Sequence, residues 1–221
     1  MSKTGNLAAS YRGAVTDLLG YVPVAAAVLA IPQFLPQIIK VRTTGDATGV
    51  SWLWAALTSV NNAAWFGYFV LSGFWGALVP ALSAVILAGV LAMMPVCRRA
   101  ATRTAAALIT AWSAVLITAF VAAGRIGLGM LLTAAFAIQV APSIWTAYRT
   151  AQPTGISRGT WLLIGGELSC WALYGVHESD PRLMTLGTLG IVASILMLAR
   201  TVRRRALPDV PVREGERSAA R

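Results

Sequence analysis

The sequence predicts an all-α membrane protein of seven transmembrane helices, built as two parallel three-helix-bundle repeats joined by a linker helix. Three observations carry that expectation. Hydrophobic residues make up 57% of the 221 and charged residues 12%, far from the proportions of soluble domains. The charges gather at the ends of long apolar stretches, each near the roughly 20 residues a spanning helix needs. Shifted by 106 positions without a gap, the chain also matches itself: Gln33/Gln139, Pro36/Pro142, Ile38/Ile144, Thr44/Thr150, Thr48/Thr154, Gly49/Gly155, Ser51/Ser157, Leu57/Leu163, Trp65/Trp171 and Tyr68/Tyr174 are identical pairs. None of the ten is alanine, the residue an apolar chain matches by accident. Parallel repeats in a membrane chain are a transporter signature, with the solute held near the midplane between the halves.

The apolar stretches run over about 18–39, 51–71, 74–96, 104–124, 126–148, 159–176 and 183–199. Backbone groups in hydrocarbon must be satisfied internally, and stretches this long exclude barrel strands. The first is followed at once by Lys40 and Arg42 and lacks a small-residue cleavage pattern, so it reads as a retained span and not a signal peptide. Spans one to three and five to seven carry the repeat, which makes the fourth the odd element. A three-helix unit begins and ends on opposite sides, so one extra crossing restores the orientation of a second copy. The expected divisions are an outer N-terminal tail 1–17, a first bundle 18–97, a linker with the fourth helix 98–125, a second bundle 126–202 and a disordered cytoplasmic tail 203–221, which is charged and contains prolines.

Net charge is +10, but its placement points to lipid and not to nucleic acid. Counted over seven spans, four Lys and Arg fall on the side of the N-terminus and fourteen on the other. The positive-inside rule then places the N-terminus outside and the C-terminus in the cytoplasm. Sixteen Arg against two Lys, with abundant Ala, fits a bacterial source and an inner-membrane location. Cys97 and Cys170 stand apart with no CxxC spacing, and the single His177 sits beside Glu178 near a loop. No metal site, disulfide or cofactor is expected, and the absence of a nucleophile, base or metal set argues against an enzyme. The lipid bilayer and a small polar solute are the expected partners, and a homo-oligomer is compatible with the sequence.

Pro32-Gln33 and Pro36-Gln37 lie four residues apart, on one face of a helix whose bonds they interrupt, so a hinge is expected there and at Pro142. Thr48-Gly49-Val50-Ser51 and Thr154-Gly155-Ile156-Ser157 precede spans two and six, with serine as N-cap. From these starts, Asn61 and Glu167 lie about 15 Å deep, at the middle of a ~30 Å core. Asn61, Trp65 and Tyr68 share one helical face, as do Glu167, Trp171 and Tyr174. Polar groups at that depth usually face an interior or a watery cavity. The candidate solute site is therefore Asn61, Asn62, Trp65, Tyr68, Glu167, Trp171 and Tyr174, with Asn61 or Asn62 as interhelical packing glue the alternative. Trp52, Trp54, Trp75, Trp145, Tyr148 and Trp161 are read as interfacial anchors. Glu167 would bind polar groups of the solute or a proton, making uptake pH-sensitive.

The residues Leu35-Pro36-Gln37, Thr48-Gly49-Val50-Ser51 and Trp65-Phe66-Gly67-Tyr68, with Ala141-Pro142, Thr154-Gly155-Ile156-Ser157 and Trp171-Ala172-Leu173-Tyr174-Gly175, resemble the PQ-loop superfamily. Within it, the chain resembles the seven-span SWEET sugar transporters and the half-sized SemiSWEETs over about 18–202. The resemblance implies a facilitator, most often of sugars, that alternates its access around one central site. It gives the hinge role to Pro36, Pro142 and Gln37 and the solute-facing role to Trp65 and Trp171. The chain departs from the family at the third-helix asparagines, where Pro80 and Gly187 stand, and at the second PQ, where Ser143 replaces glutamine. Alternatives are a proton-coupled carrier of an amino acid or related metabolite, or a non-transporting PQ-loop receptor or scaffold.

Overall fold

The computed structural model describes residues 19–202; the expected tails 1–17 and 203–221 lie outside or almost wholly outside the described residues. Helices α1 (Val22–Ala30) and α2 (Leu35–Thr44) form a broken rod, followed by α3 (Trp52–Ser72), a single 3₁₀ turn (Trp75–Ala77), α4 (Leu78–Met93) and a four-residue turn α5 (Pro95–Arg98). The chain continues as α6 (Arg103–Arg149), α7 (Arg158–Glu178) and α8 (Pro181–Val202). Leaving out α5, the described residues form an all-α bundle of seven helices.

The expectation of seven spans is corrected. Three of these helical rods are long and apolar enough to cross a membrane: Val22–Thr44, Arg103–Arg149 and Leu183–Val202, whose most apolar 18-residue stretches have mean hydropathies of 1.8, 2.1 and 1.8. Helix α4 is apolar but has only 16 residues. Helices α3 and α7 reach 21 residues each, yet Thr58, Ser59, Asn61 and Asn62 dilute the first, and Arg158, Glu167, Ser169, His177 and Glu178 the second. The inside and outside assignment of the termini rested on counting seven crossings and falls with it. Within 103–149 two helical arms meet at a kink at Gly124, whose φ of 58° and ψ of −153° are open to glycine alone.

Local chemistry explains the helix ends. Ser51 Oγ accepts the Trp54 N–H at 3.2 Å, Ser157 Oγ the Thr160 N–H at 3.5 Å and Thr102 Oγ1 the Ala105 N–H at 3.0 Å, each satisfying a donor the first turn cannot. Between α1 and α2, Pro32 and Pro36 remove two donors and the rod breaks over 31–34. The Ile31 carbonyl freed by the break accepts the Ser83 hydroxyl of α4 at 2.7 Å. Pro36 lies in the first turn of α2, where its missing N–H costs nothing, while Pro142 lies within α6, which continues through it.

Helix α7 packs most extensively on α8, and α3 on α4 and α6; α1 packs on α7, with lighter contact to α4. Small residues set the closest approach. A Cβ on Gly187 of α8 would lie 2.5 Å from the Ala172 nitrogen and the Leu168 oxygen of α7, so two backbones meet there. The polarity of the bundle runs opposite to that of a water-soluble one. Gln33, Gln37, Thr58, Asn61, Ser143 and Thr160 are buried, whereas Val121, Ile126, Ile117 and Met130 of α6 are 59–77% exposed. Contiguous apolar surface of this kind faces lipid; the protein is a multi-span membrane protein. Gly187→Asn should cost about 1–3 kcal/mol by overpacking, read as a lowered unfolding midpoint of the detergent-solubilised chain. Gly124→Ala has open space for its methyl and should cost about 1–3 kcal/mol from backbone strain alone.

Candidate functional site

A cavity of about 140 Å³ lies between the α1–α2 break, α3, α6 and α7. Five pairs of its lining residues are related by the 106-residue shift: Gln33 and Gln139, Phe34 and Val140, Thr58 and Ile164, Asn62 and Leu168, Trp65 and Trp171. Gln33 and Phe34 reach it because the first rod breaks there. Trp65 and Trp171 stand one helical turn beyond Asn61 and Glu167, as their i, i+4 spacing requires.

Glu167 is half-buried and lines this cavity. Its Oε1 accepts the indole N–H of Trp171 at 3.3 Å, which holds the ring beside the carboxyl. Asn62 also lines the cavity and donates through Nδ2 to the Thr58 carbonyl at 2.9 Å. Asn61 takes the packing alternative. Only 2% exposed, it donates to Gln139 Oε1 at 2.9 Å and accepts the Trp112 indole N–H at 2.7 Å, tying α3 to both arms of α6. Tyr68 is also elsewhere. It packs over Gly129, meets Trp65 edge-on at 5.5 Å and lines a separate crevice of about 270 Å³ with Ser72, Phe74 and Arg125. Tyr174 lies edge-on to Trp171 at 6.4 Å and does not line the central cavity. Of the seven candidate side chains, the cavity thus gathers Asn62, Trp65, Glu167 and Trp171.

Trp54 and Trp161 are corrected from interfacial anchors to interior residues. They are 3% and 2% exposed, stack on each other with centroids 5.4 Å apart and line the cavity, with Phe34 tilted against Trp54 at 5.5 Å. Extending the helical face one turn toward the N-caps would have found them, since Trp54, Thr58, Asn62 and Trp65 follow one another at i+4, i+4 and i+3. Trp75 and Trp145 are 68% and 64% exposed, consistent with an anchoring place, and Arg149 lies 4.4 Å from the Trp145 ring centroid.

One end of the bundle is closed by the two Thr-Gly-Xaa-Ser turns lying against each other. The Gly155 N–H donates to the Thr48 carbonyl at 2.9 Å, and a Cβ on Gly155 would meet the Thr48 nitrogen at 2.6 Å. Gln37, 1% exposed, donates through Nε2 to the Gly155 carbonyl at 2.7 Å and accepts the Ser157 N–H at 2.7 Å through Oε1. Lys40 Nζ donates to the Ile156 carbonyl at 2.6 Å. Asp46 braces the first turn by accepting the Thr48 N–H at 2.8 Å. Burial pushes its carboxyl up, but hydrogen bonds from Thr154 and Thr48 and the charge of Lys40 outweigh burial and hold it below its ordinary value of 3.8.

Gln37→Ala should lower stability by about 1–3 kcal/mol, because it leaves a buried carbonyl and N–H unpaired; chemical unfolding in detergent measures this. For Asp46 the sign follows from its lowered folded value. Its contribution is complete above the ordinary carboxylate value and is lost as pH falls through the folded one. The unfolding midpoints of wild type and Asp46→Asn should therefore differ at pH ~7 and converge in strong acid. Compared with protein-family models and with curated proteins, the chain matches none.

Proposed function

We propose that the protein is a carrier that moves a small polar solute across a membrane, with the cavity between α1–α3 and α6–α7 as its central site. One observation supports this above the others: repeat-related residues, Trp65 with Trp171 and Gln33 with Gln139, line a single cavity, as expected where two equivalent halves enclose a path. In this reading the Gln37 clamp closes one end, and the broken rod at Pro32–Pro36 with the kink-prone turn at Pro142 supplies the hinges for alternating access. The likeness to the PQ-loop and SWEET transporters favours a sugar, stacked on Trp65 and Trp171 and hydrogen-bonded by Gln33, Asn62 and Gln139. The arginine- and alanine-rich composition favours a bacterial inner membrane.

A second reading, a carrier of an amino-containing metabolite, is favoured by Glu167. An acidic group among the lining residues is poorly suited to a neutral sugar alone and well suited to an ammonium. A receptor or scaffold role would leave the cavity without substrate-dependent flux. Counterflow into proteoliposomes preloaded with candidate sugars or amino compounds tests the carrier reading, and the absence of flux for every class would refute it. Trp171→Ala should weaken the transported solute by ~1 kcal/mol, roughly fivefold, through loss of ring contact, measured as a raised half-saturation in the same assay.

A further inference from the structure

We infer that the central cavity binds a small organic cation bearing an ammonium group. This rests on the carrier reading for the purpose of the cavity and goes beyond it by naming the chemistry of the occupant.

The lining is aromatic and acidic at once. Trp54, Trp65, Trp161 and Trp171 contribute four indoles, and Phe34 and Phe136 two further rings. Aromatic faces carry negative quadrupole potential and attract cations, Trp most strongly. Among the lining residues there is one ionisable carboxyl, Glu167, and no Lys, Arg or His. Its one described partner is the neutral Trp171 indole, at 3.3 Å. A half-buried carboxylate beside an indole with no counter-charge among the lining residues is unfavourable, and a bound cation relieves it.

The geometry places the carboxyl and a ring side by side. The Trp171 N–H bond to Glu167 fixes the indole one helical turn from its own carboxyl partner. The described aromatic neighbour of Trp171, Tyr174, meets it at an interplanar angle of 73° and stacks on neither face. Asn62 donates one Nδ2 hydrogen to the Thr58 carbonyl, and its Oδ1 has no described donor, so that oxygen is open to a ligand N–H. An ammonium needs a ring face and a negative group, and both line this cavity.

Intrinsic tryptophan fluorescence of the full chain in nanodiscs provides the test. Titrants are choline and ethanolamine as quaternary and primary ammonium probes, the uncharged carbon isostere of choline, and glucose. Choline or ethanolamine should bind about tenfold more tightly than the isostere. Glu167→Gln should reduce that advantage severalfold, and Trp171→Phe should retain more of it than Trp171→Ala. Equal affinity for choline and its isostere, with no preference for ethanolamine, overturns the inference. An ammonium preference that is unchanged in both Glu167→Gln and Trp171→Ala overturns the inference. Glucose bound and transported while both amines fail overturns the cation and leaves the carrier reading standing. No binding and no flux with any probe overturns the cation and counts against the carrier as well.

Discussion

The Gln37 side-chain amide is the interaction on which the arrangement of the bundle depends. It joins positions 118 and 120 residues apart by giving its donor to Gly155 and its acceptor to Ser157. The turn before α7 has backbone groups that the helix itself cannot satisfy, and in a dry interior an unpaired amide costs about 1–3 kcal/mol. One buried glutamine meets two of those needs, and in doing so draws the start of α2 against the start of α7. Pro36 packs there over Gly159, where a Cβ would come within 2.9 Å. With that end drawn together, the rings of Trp54 and Trp161 stack just inside it and the cavity begins where they line it. The equivalent of Gln37 in the other half is Ser143, whose short side chain cannot span the same gap, so the tie is one-sided.

The two halves have diverged most in how they use their central polar groups. Asn61 and Glu167 occupy corresponding places, yet the first is consumed by Gln139 and Trp112, while the second lines the cavity. Trp112 belongs to the arm of α6 that has no counterpart in the repeat, so an element outside the duplication removes one of the pair from the interior surface. What remains is an asymmetric lining in which the one carboxyl comes from one side while amides come from both, Gln33 and Asn62 on one and Gln139 on the other.

Much of the local structure was legible in the sequence for physical reasons. Ser51 and Ser157 stand where N-caps must stand, and Pro32 and Pro36 mark a break because no α-helix keeps its bonds through both. The central tryptophans were legible because the shift of 106 aligns them and helical spacing sets them beside the polar residues. Gly124 is where the helical backbone of residues 103–149 breaks into two arms. Other features depended on neighbours that a linear pattern does not name. Whether Asn61 faces a cavity or a partner turns on Trp112, about fifty residues away, and Trp54 and Trp161 look like boundary residues until α2 and α7 converge over them. Gly187 stands where α8 approaches the α7 backbone so closely that no side chain fits.

The shortfall in apolar spans has the same origin as the site. A helix with neighbours on several sides need not be apolar, and α3 and α7 carry their polar residues toward those neighbours: Ser59 donates to the Val85 carbonyl at 2.9 Å, Asn61 meets Gln139, and Arg158 reaches the Thr201 carbonyl at 2.6 Å. Each such group lowers the hydropathy of its helix and raises the specificity of its packing, because a polar contact in a dry interior is satisfied in one arrangement and costly in others. Helix α6 shows the complement. It carries the most apolar 18-residue stretch of the three long rods and is also one of the least enclosed, with Val121 77% and Ile126 68% exposed, so its side chains are chosen for lipid and not for neighbours. Between α6 on one hand and α3 and α7 on the other, hydropathy therefore tracks how much of each helix the bundle covers, and the two less apolar helices are the ones that carry polar groups into the interior.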